Sequence, residues 1–238
     1  MKNLINIIKQ SPFAPIARRL YVAYRNLEFR KISKNMGYDI TLDGKALAKQ
    51  KDKNASSYMH SPSQNIQKLM PCFYISKTDK IFDYGSGKGG MMIWLAKNYP
   101  FGKVAGIEFI ANYDAIAKQN FEKNNLAYLE TYCADAAKFE DIDEYNYFYF
   151  YNPFRGELMQ QVIEQIRKSY TRNRRRITVI YLNPQCREMF VDSELFPFTK
   201  FCNFSLKNRT ADRESFIDIY CTEILQIDFE QLGITVEK

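Results

Sequence analysis

From residue 80 onward the chain switches repeatedly between two patterns of apolar and polar positions. Lys80-Ile-Phe-Asp-Tyr84 is a short apolar run, and Lys103–Glu108, Ala127–Cys133, Tyr145–Tyr151 and Ile177–Leu182 repeat it. Runs of this length bounded by turn residues read as strands. Between them the spacing is helical. Met91–Tyr99 puts Met92, Leu95 and Ala96 on one face, Ala111–Asn124 follows the second run, and Glu157–Tyr170 aligns Leu158, Val162, Ile163 and Ile166. Strands alternating with helices of ordinary length predict a parallel, doubly wound sheet. The end of the chain differs: Lys200–Leu206 and Phe216–Ile227 read as strands joined by a polar loop with no helix between them. That predicts an antiparallel hairpin at the sheet edge. The expected fold class is therefore α/β, a doubly wound, mostly parallel seven-stranded sheet with a C-terminal antiparallel hairpin.

Upstream the pattern is looser. Pro15–Ile32 carries Ile16, Leu20, Ala23, Tyr24 and Leu27 at helical spacing, with Arg18, Arg19 and Arg25 off that stripe. Residues 33–63 are polar and turn-rich and read as a loop region. Gln64–Met70 reads as a short helix leading into the main domain. The expected organisation is a basic N-terminal helical arm and covering loop over residues 1–70, followed by a ligand-binding domain over residues 71–238.

Charge sharpens that division. The 238 residues carry a net charge of +7. Residues 1–35 hold eight basic side chains against Glu28 alone, so the arm accounts for the whole excess and the rest of the chain is neutral. A basic amphipathic helix can rest on an anionic partner, RNA or a membrane surface, or pack its apolar stripe and solvate its charges. No apolar run approaches the ~20 residues of a membrane-spanning helix. Asn6 and Lys9 interrupt the first apolar stretch before it could serve as a signal-peptide core, so the expected location is the cytoplasm. The five cysteines are scattered without a Cys-x-x-Cys pair, and His60 is the sole histidine. Neither a disulfide framework nor a metal site is expected.

The chemistry gathers at the predicted strand ends. Gly85-Ser86-Gly87-Lys-Gly89-Gly90 follows the first strand and opens a helix, a context in which backbone N–H groups can approach a ligand closely. The glycines alone fit a dinucleotide or another nucleoside cofactor. Asp83, two residues before the first glycine, is poorly placed beside a pyrophosphate. It suits the cationic end of S-adenosylmethionine (SAM), which carries an ammonium and a sulfonium. Glu108 ends the second strand, where an acid can accept from both ribose hydroxyls, with Phe109 next to it. Asp135 and Ala136 follow the third strand, where a carboxylate and an N–H can meet an adenine. The fourth strand ends in Asn152-Pro-Phe154, beside the first strand if the strand order is the usual one. Asn152 could hold a nucleophile there. Tyr58, His60 and Glu157 are the candidate bases, and Tyr58 joins Asn152 as a candidate catalytic residue.

These residues resemble the class I, Rossmann-like SAM-dependent methyltransferases over roughly residues 58–227. The resemblance assigns cofactor binding to Asp83, Gly85, Ser86, Gly87, Gly89, Glu108, Phe109, Asp135, Ala136 and Asn152, with SAM as the cofactor. A closer likeness is to a largely uncharacterised bacterial subgroup. Its motifs appear here as Phe29…Gly37-Tyr-Asp39, Tyr58-Met-His-Ser-Pro62, Asp83–Gly89, Gly106-Ile-Glu-Phe109, Asp135-Ala136, Asn152–Phe154 and Tyr181-Leu-Asn-Pro184. The loop, the acid and an upstream tyrosine are also similar to the non-SET histone lysine methyltransferases. Amino-methyltransferases of nucleic-acid bases often carry two prolines in the fourth-strand motif, where this chain has one. The resemblance implies methyl transfer to an acceptor that is a protein amine, RNA or a small molecule. Two alternatives stay open. One is an NAD(P)-dependent oxidoreductase. The other is a nucleic-acid- or membrane-binding module, using the arm and the Arg172-Asn-Arg-Arg-Arg176 cluster, which otherwise reads as a solvated loop.

Overall fold

The short apolar runs become the centre of one sheet in the computed structural model. It describes residues 64–206, 213–224 and 235–237, with isolated positions between 23 and 41. The parallel strands are β1 (Lys80–Tyr84), β2 (Lys103–Glu108), β3 (Glu130–Cys133), β4 (Tyr147–Phe150) and β5 (Thr178–Leu182). The strands β6 (Phe198–Leu206), β7 (Arg213–Cys221) and β8 (Thr235–Glu237) are antiparallel. The order is β3-β2-β1-β4-β5-β7-β6-β8. The seven expected strands and the C-terminal hairpin are present, and the three-residue β8 adds an eighth at the β6 edge. This is a Rossmann-like sheet in which the chain reverses direction of travel between β1 and β4. Open α/β sheets bind ligands in the crevice at that switch point.

Period-2 alternation explains the aromatic richness of the chain. Phe82 and Tyr84 of β1, Phe148 and Phe150 of β4, and Tyr181 of β5 share one buried cluster with Phe190 and Tyr220. Tyr84 stacks on Phe150 at 4.7 Å between centroids, and Phe190 on Tyr220 at 4.8 Å. Ring pairs at this separation add about 1 kcal/mol to their burial. The same alternation puts Asp83 on the face opposite Phe82 and Tyr84.

Helices cross between the parallel strands: α1 (Gln64–Leu69) precedes them, then α2 (Gly90–Asn98), α3 (Ala111–Lys123), α4 (Glu157–Arg172) and α5 (Arg187–Asp192). Met159, Val162, Ile163 and Ile166 form the buried stripe of α4, at the spacing of one helix face. Most boundaries shift from expectation by no more than two residues, and two strands differ by more. The third strand begins at Glu130 instead of Ala127, because Asn125 turns left-handed and Leu126 and Leu129 bond back to Phe121 and Leu126. The last long strand begins at Arg213 and ends at Cys221, where Thr222 turns to pair with Ile177 in both directions. The short α5 follows β5 in a stretch that carries no helical period long enough to read.

The Arg172–Arg176 cluster lies at the amino end of the parallel strands, in a loop that is exposed at Arg172, Arg174 and Arg176 as expected, but its side chains are paired. Arg172 grips Asp143 with two 2.8 Å bonds. Arg175 donates to the carbonyls of Tyr145 and Ile142 and to Ser169 Oγ. Arg176 approaches Asp79 at 3.6 Å, and Arg174 covers the Tyr170 ring. The cluster staples the end of α4 to the loop that enters β4.

Contact density divides the chain into residues 1–51 and 52–238. In the first unit, Ala23, Leu27, Arg30, Ser33 and Lys34 are helical. Gly37, at φ 75°, closes that helix by donating to Ser33 O at 2.9 Å, a left-handed helix end. Leu27, which the spacing puts on the apolar stripe, is exposed. Among the described residues no helix is long and apolar enough to cross a membrane. The five cysteines are free thiols, and Cys186, Cys202 and Cys221 are buried.

Candidate functional site

The turn after β1 is built against two neighbours. Gly85 and Ser86 both donate to Ile107 O, at 2.9 and 3.0 Å, tying the turn to β2. Gly85 is left-handed at φ 76°, and a Cβ there would stand 2.5 Å from Pro153 Cβ. Gly89, at φ 75°, would put a Cβ 2.4 Å from the Phe121 ring. Glycine is required at both positions by backbone angle and by space. The turn is thus pressed between α3 and the turn that ends β4. Lys88 is buried, with its ammonium 5.9 Å from the Tyr113 ring centroid and its carbonyl accepting from Asn120 Nδ2.

Two carboxylates meet beneath this turn. Asp83 is 3% exposed, and its carboxylate takes no hydrogen bond among the described residues. Burial, and then the negative charge of Glu108, push its pKa up to about 8. Glu108 is also buried, which raises its pKa, but its oxygens are held. Oε2 accepts from Gly87 N–H at 3.0 Å and Oε1 from Ile110 N–H at 2.8 Å. Each oxygen keeps a further lone pair. The Ser86 hydroxyl is buried without a partner among the described residues. A buried, unpaired carboxylate beside a second acid is costly unless a cation joins it.

The remaining expected residues surround this pair at the carboxyl ends of the strands. Phe109 follows Glu108 and is 74% exposed, a large apolar ring at the rim. Ala134 N–H donates to Glu108 O, joining the two strand ends. Asp135 caps the 3-10 turn Ala136–Lys138 by accepting from Ala137 N–H at 3.0 Å, and its other oxygen is 3.8 Å from Lys138. Asn152, just past β4, is left-handed at φ 44°, and its Oδ1 accepts from the Tyr181 hydroxyl at 3.5 Å. The fold therefore brings Asp83, the glycine turn, Glu108, Phe109, Asp135, Ala136 and Asn152 to one edge of the sheet. Tyr58 and His60 lie outside the described residues. Sequence reasoning assigned no role to Tyr181 or Asn183, although Asn-Pro occurs at the ends of both β4 and β5 and that repetition was a usable signal.

No family model matches the chain, and no curated protein matches it. The fold recurs among solved structures. A human methyltransferase 10 domain containing protein matches with a TM-score of 0.55 at 14% identity, over 88% of this chain and 98% of its own. Precorrin-6y C5,15-methyltransferase of Geobacter metallireducens matches at 0.53 and 13% identity, over 72% and 95%. TYW2 of M. jannaschii, in complex with AdoMet, matches at 0.50 and 13% identity, over 69% and 77%. At such identities the likeness is one of fold.

Proposed function

We propose that the chain is a SAM-dependent methyltransferase. The observation that carries this reading is Asp83, a buried carboxylate with no hydrogen-bond partner among the described residues, at the end of β1 and next to a turn that glycine alone can form. SAM brings an ammonium and a sulfonium to that position. A pyrophosphate would instead add negative charge beside Asp83 and Glu108. The residues present fit the cofactor in kind. In this reading the free lone pairs of Glu108 accept the ribose hydroxyls, and Asp135, Ala136 and Phe109 receive the adenine. Gly85, Ser86, Gly87 and Gly89 form the cradle under the donor's amino-acid end. SAM supplies an already activated methyl group. The protein's task is then to align the acceptor and exclude water, and we assign the alignment to Asn152 and Tyr58.

The structural neighbours named as methyltransferases support the reading at the level of fold. We further assign residues 71–238 as the SAM-binding domain and residues 1–70 as the arm that covers donor and acceptor. The arm's basic charge would suit RNA or an anionic membrane surface, and binding to either that weakens steeply with salt is the expected signature. Thermal-shift titration tests the central proposal: S-adenosylhomocysteine (SAH) should raise the melting temperature and NADH should not. Stabilisation by NADH without stabilisation by SAH would refute it. Incubation of fractionated cell extract with methyl-labelled SAM then sorts the acceptor among protein, RNA and small molecules.

A further inference from the structure

Asn152 and Asn183 share a feature that cofactor binding leaves unused. Each precedes a proline at the end of a parallel strand. The pairing of β4 with β5 sets Phe150 opposite Tyr181. Asn152 and Asn183, each two residues further on, therefore end neighbouring strands at the same level, on strands about 5 Å apart. Both backbones are left-handed, at φ 44° and φ 50°. A left-handed non-glycine residue costs about 1 kcal/mol or more, and such strain persists only where surrounding contacts hold it.

Such contacts link the two strand ends. Tyr181 of β5 donates its hydroxyl to Asn152 Oδ1, and the same hydroxyl accepts from Gln185 N–H at 3.2 Å. Tyr151, just past β4, is largely buried, which raises its pKa, and the neighbouring Asn183 side chain works against that rise. The β5 tyrosine thus braces the β4 asparagine, and Tyr151 of the β4 end neighbours the β5 asparagine. Burial raises the pKa of both tyrosines, so both hydroxyls keep their protons. The brace is anchored behind. Asn183 N–H donates to Phe216 O at 2.7 Å, and Arg187, at the start of α5, is clamped to buried Asp218 by two 2.8 Å bonds. Ending two strands requires none of this, since proline alone stops a strand. The register thus sets the two asparagines at the same level on neighbouring strand ends, at the carboxyl edge of the sheet and next to the β1–β4 crevice, with Asn152 held by Tyr181.

We infer that Asn183 is a second positioning residue of the methyl-transfer site, paired with Asn152 so that the two carboxamides hold the acceptor on the β5 side of the donor methyl. This rests on the methyltransferase reading. Carboxamides carry no charge and take no proton, so the pair orients a nucleophile and does not act as its base. Tyr151 and Tyr181 act through the asparagines.

Side-chain amide NMR of the full chain tests the inference without knowledge of the acceptor. The Asn152 and Asn183 amide signals are assigned from the signals lost in N152A and N183A. Replacing SAH by SAM adds only the sulfonium methyl, and both amide pairs should shift. Y151F should move the Asn183 pair, and Y181F the Asn152 pair. In addition, N183A should bind SAH within about twofold of wild type while transfer of labelled methyl into cell extract falls at least tenfold. An Asn183 pair that is identical in the SAH and SAM states, with wild type binding both, overturns this inference alone. Failure of wild type to bind SAH refutes the methyltransferase reading and this inference with it.

Discussion

Asp83→Asn keeps the shape of the side chain and removes its charge, so it isolates the electrostatics on which the cofactor assignment depends. The Asp83 carboxyl is pushed up to about 8, chiefly by burial and then by Glu108. An ordinary aspartate loses its proton near pH 4. Between roughly pH 4 and 8 the folded chain therefore holds a proton that the unfolded chain has released. Folding takes up that proton, and stability falls as pH rises. Below the window both states are protonated and nothing is lost; above it the loss is complete and constant. One proton corresponds to about 1.4 kcal/mol per pH unit. The wild type should lose about 3 kcal/mol between pH 5 and pH 7 on this account, and the asparagine variant should not. Urea unfolding of the ligand-free proteins at pH 5, 6 and 7 measures the difference. Parallel pH dependences would refute the claim that Asp83 is a buried, unpaired acid. Ligand binding has the complementary sign. SAM should drive off the proton from wild type at pH 7, seen by calorimetry in two buffers of different ionisation enthalpy. The variant should release none and bind SAM about 100-fold more weakly, the scale of one lost charge-assisted contact.

Three further outcomes follow from the same geometry. Gly89→Ala must place a methyl 2.4 Å from the Phe121 ring at φ 75°; unfolding curves should show a loss of about 2–4 kcal/mol, and a smaller loss would mean that the turn relaxes freely. Glu108→Gln presents an amide to one of the two N–H groups that its carboxylate now satisfies; SAH affinity by calorimetry should fall about tenfold, the scale of one hydrogen bond to a charged group. Asp218→Asn leaves Arg187, whose side chain is 30% exposed, facing a neutral partner that is fully buried; denaturant melts should lose about 2–3 kcal/mol, below the full cost of a wholly buried unpaired charge, and an unchanged midpoint would show that the pair contributes no net stability.

The strands were legible in the sequence because a buried parallel strand is a short apolar run between turn residues. Lys80–Tyr84 and Lys103–Glu108 begin and end where the pattern says. Elements that depend on contacts distant in sequence were not legible. α5 is six residues long and β8 three, too short for any period to accumulate. The early part of the third expected strand became a turn through the left-handed Asn125, which hydrophobicity does not encode. The site shows the same limit. Asp83, Glu108 and Asp135 could be ranked by their places after successive strands. That Asp83 would be unpaired, Glu108 held by Gly87 and Ile110, and Asp135 spent partly on capping Ala137 depends on side-chain directions that a pattern of residue types does not carry.

Charge gives a sharper case of what composition hides. Arg172, Arg174, Arg175 and Arg176 look from sequence like an anion-binding patch. In the folded chain each has a local task on the amino side of the sheet, gripping Asp143, Tyr170, the carbonyls before β4, or Asp79. An arginine holding two carbonyls or a bidentate carboxylate is committed in geometry, and a phosphate must displace those bonds to bind it. The opposite edge of the sheet reverses the arrangement. There, among the described residues, Asp83 is buried without a hydrogen-bond partner and Ser86 has an unsatisfied hydroxyl, and Asn152 and Asn183 hold strained backbones. Unmet polar groups and strain are costs that a fold evolved for stability alone would shed. Their meeting at the crevice beside β1 and β4 is the physical ground for locating the chemistry there, and the local pairing of the arginines is the ground for reading the Arg172–Arg176 cluster as part of the scaffold.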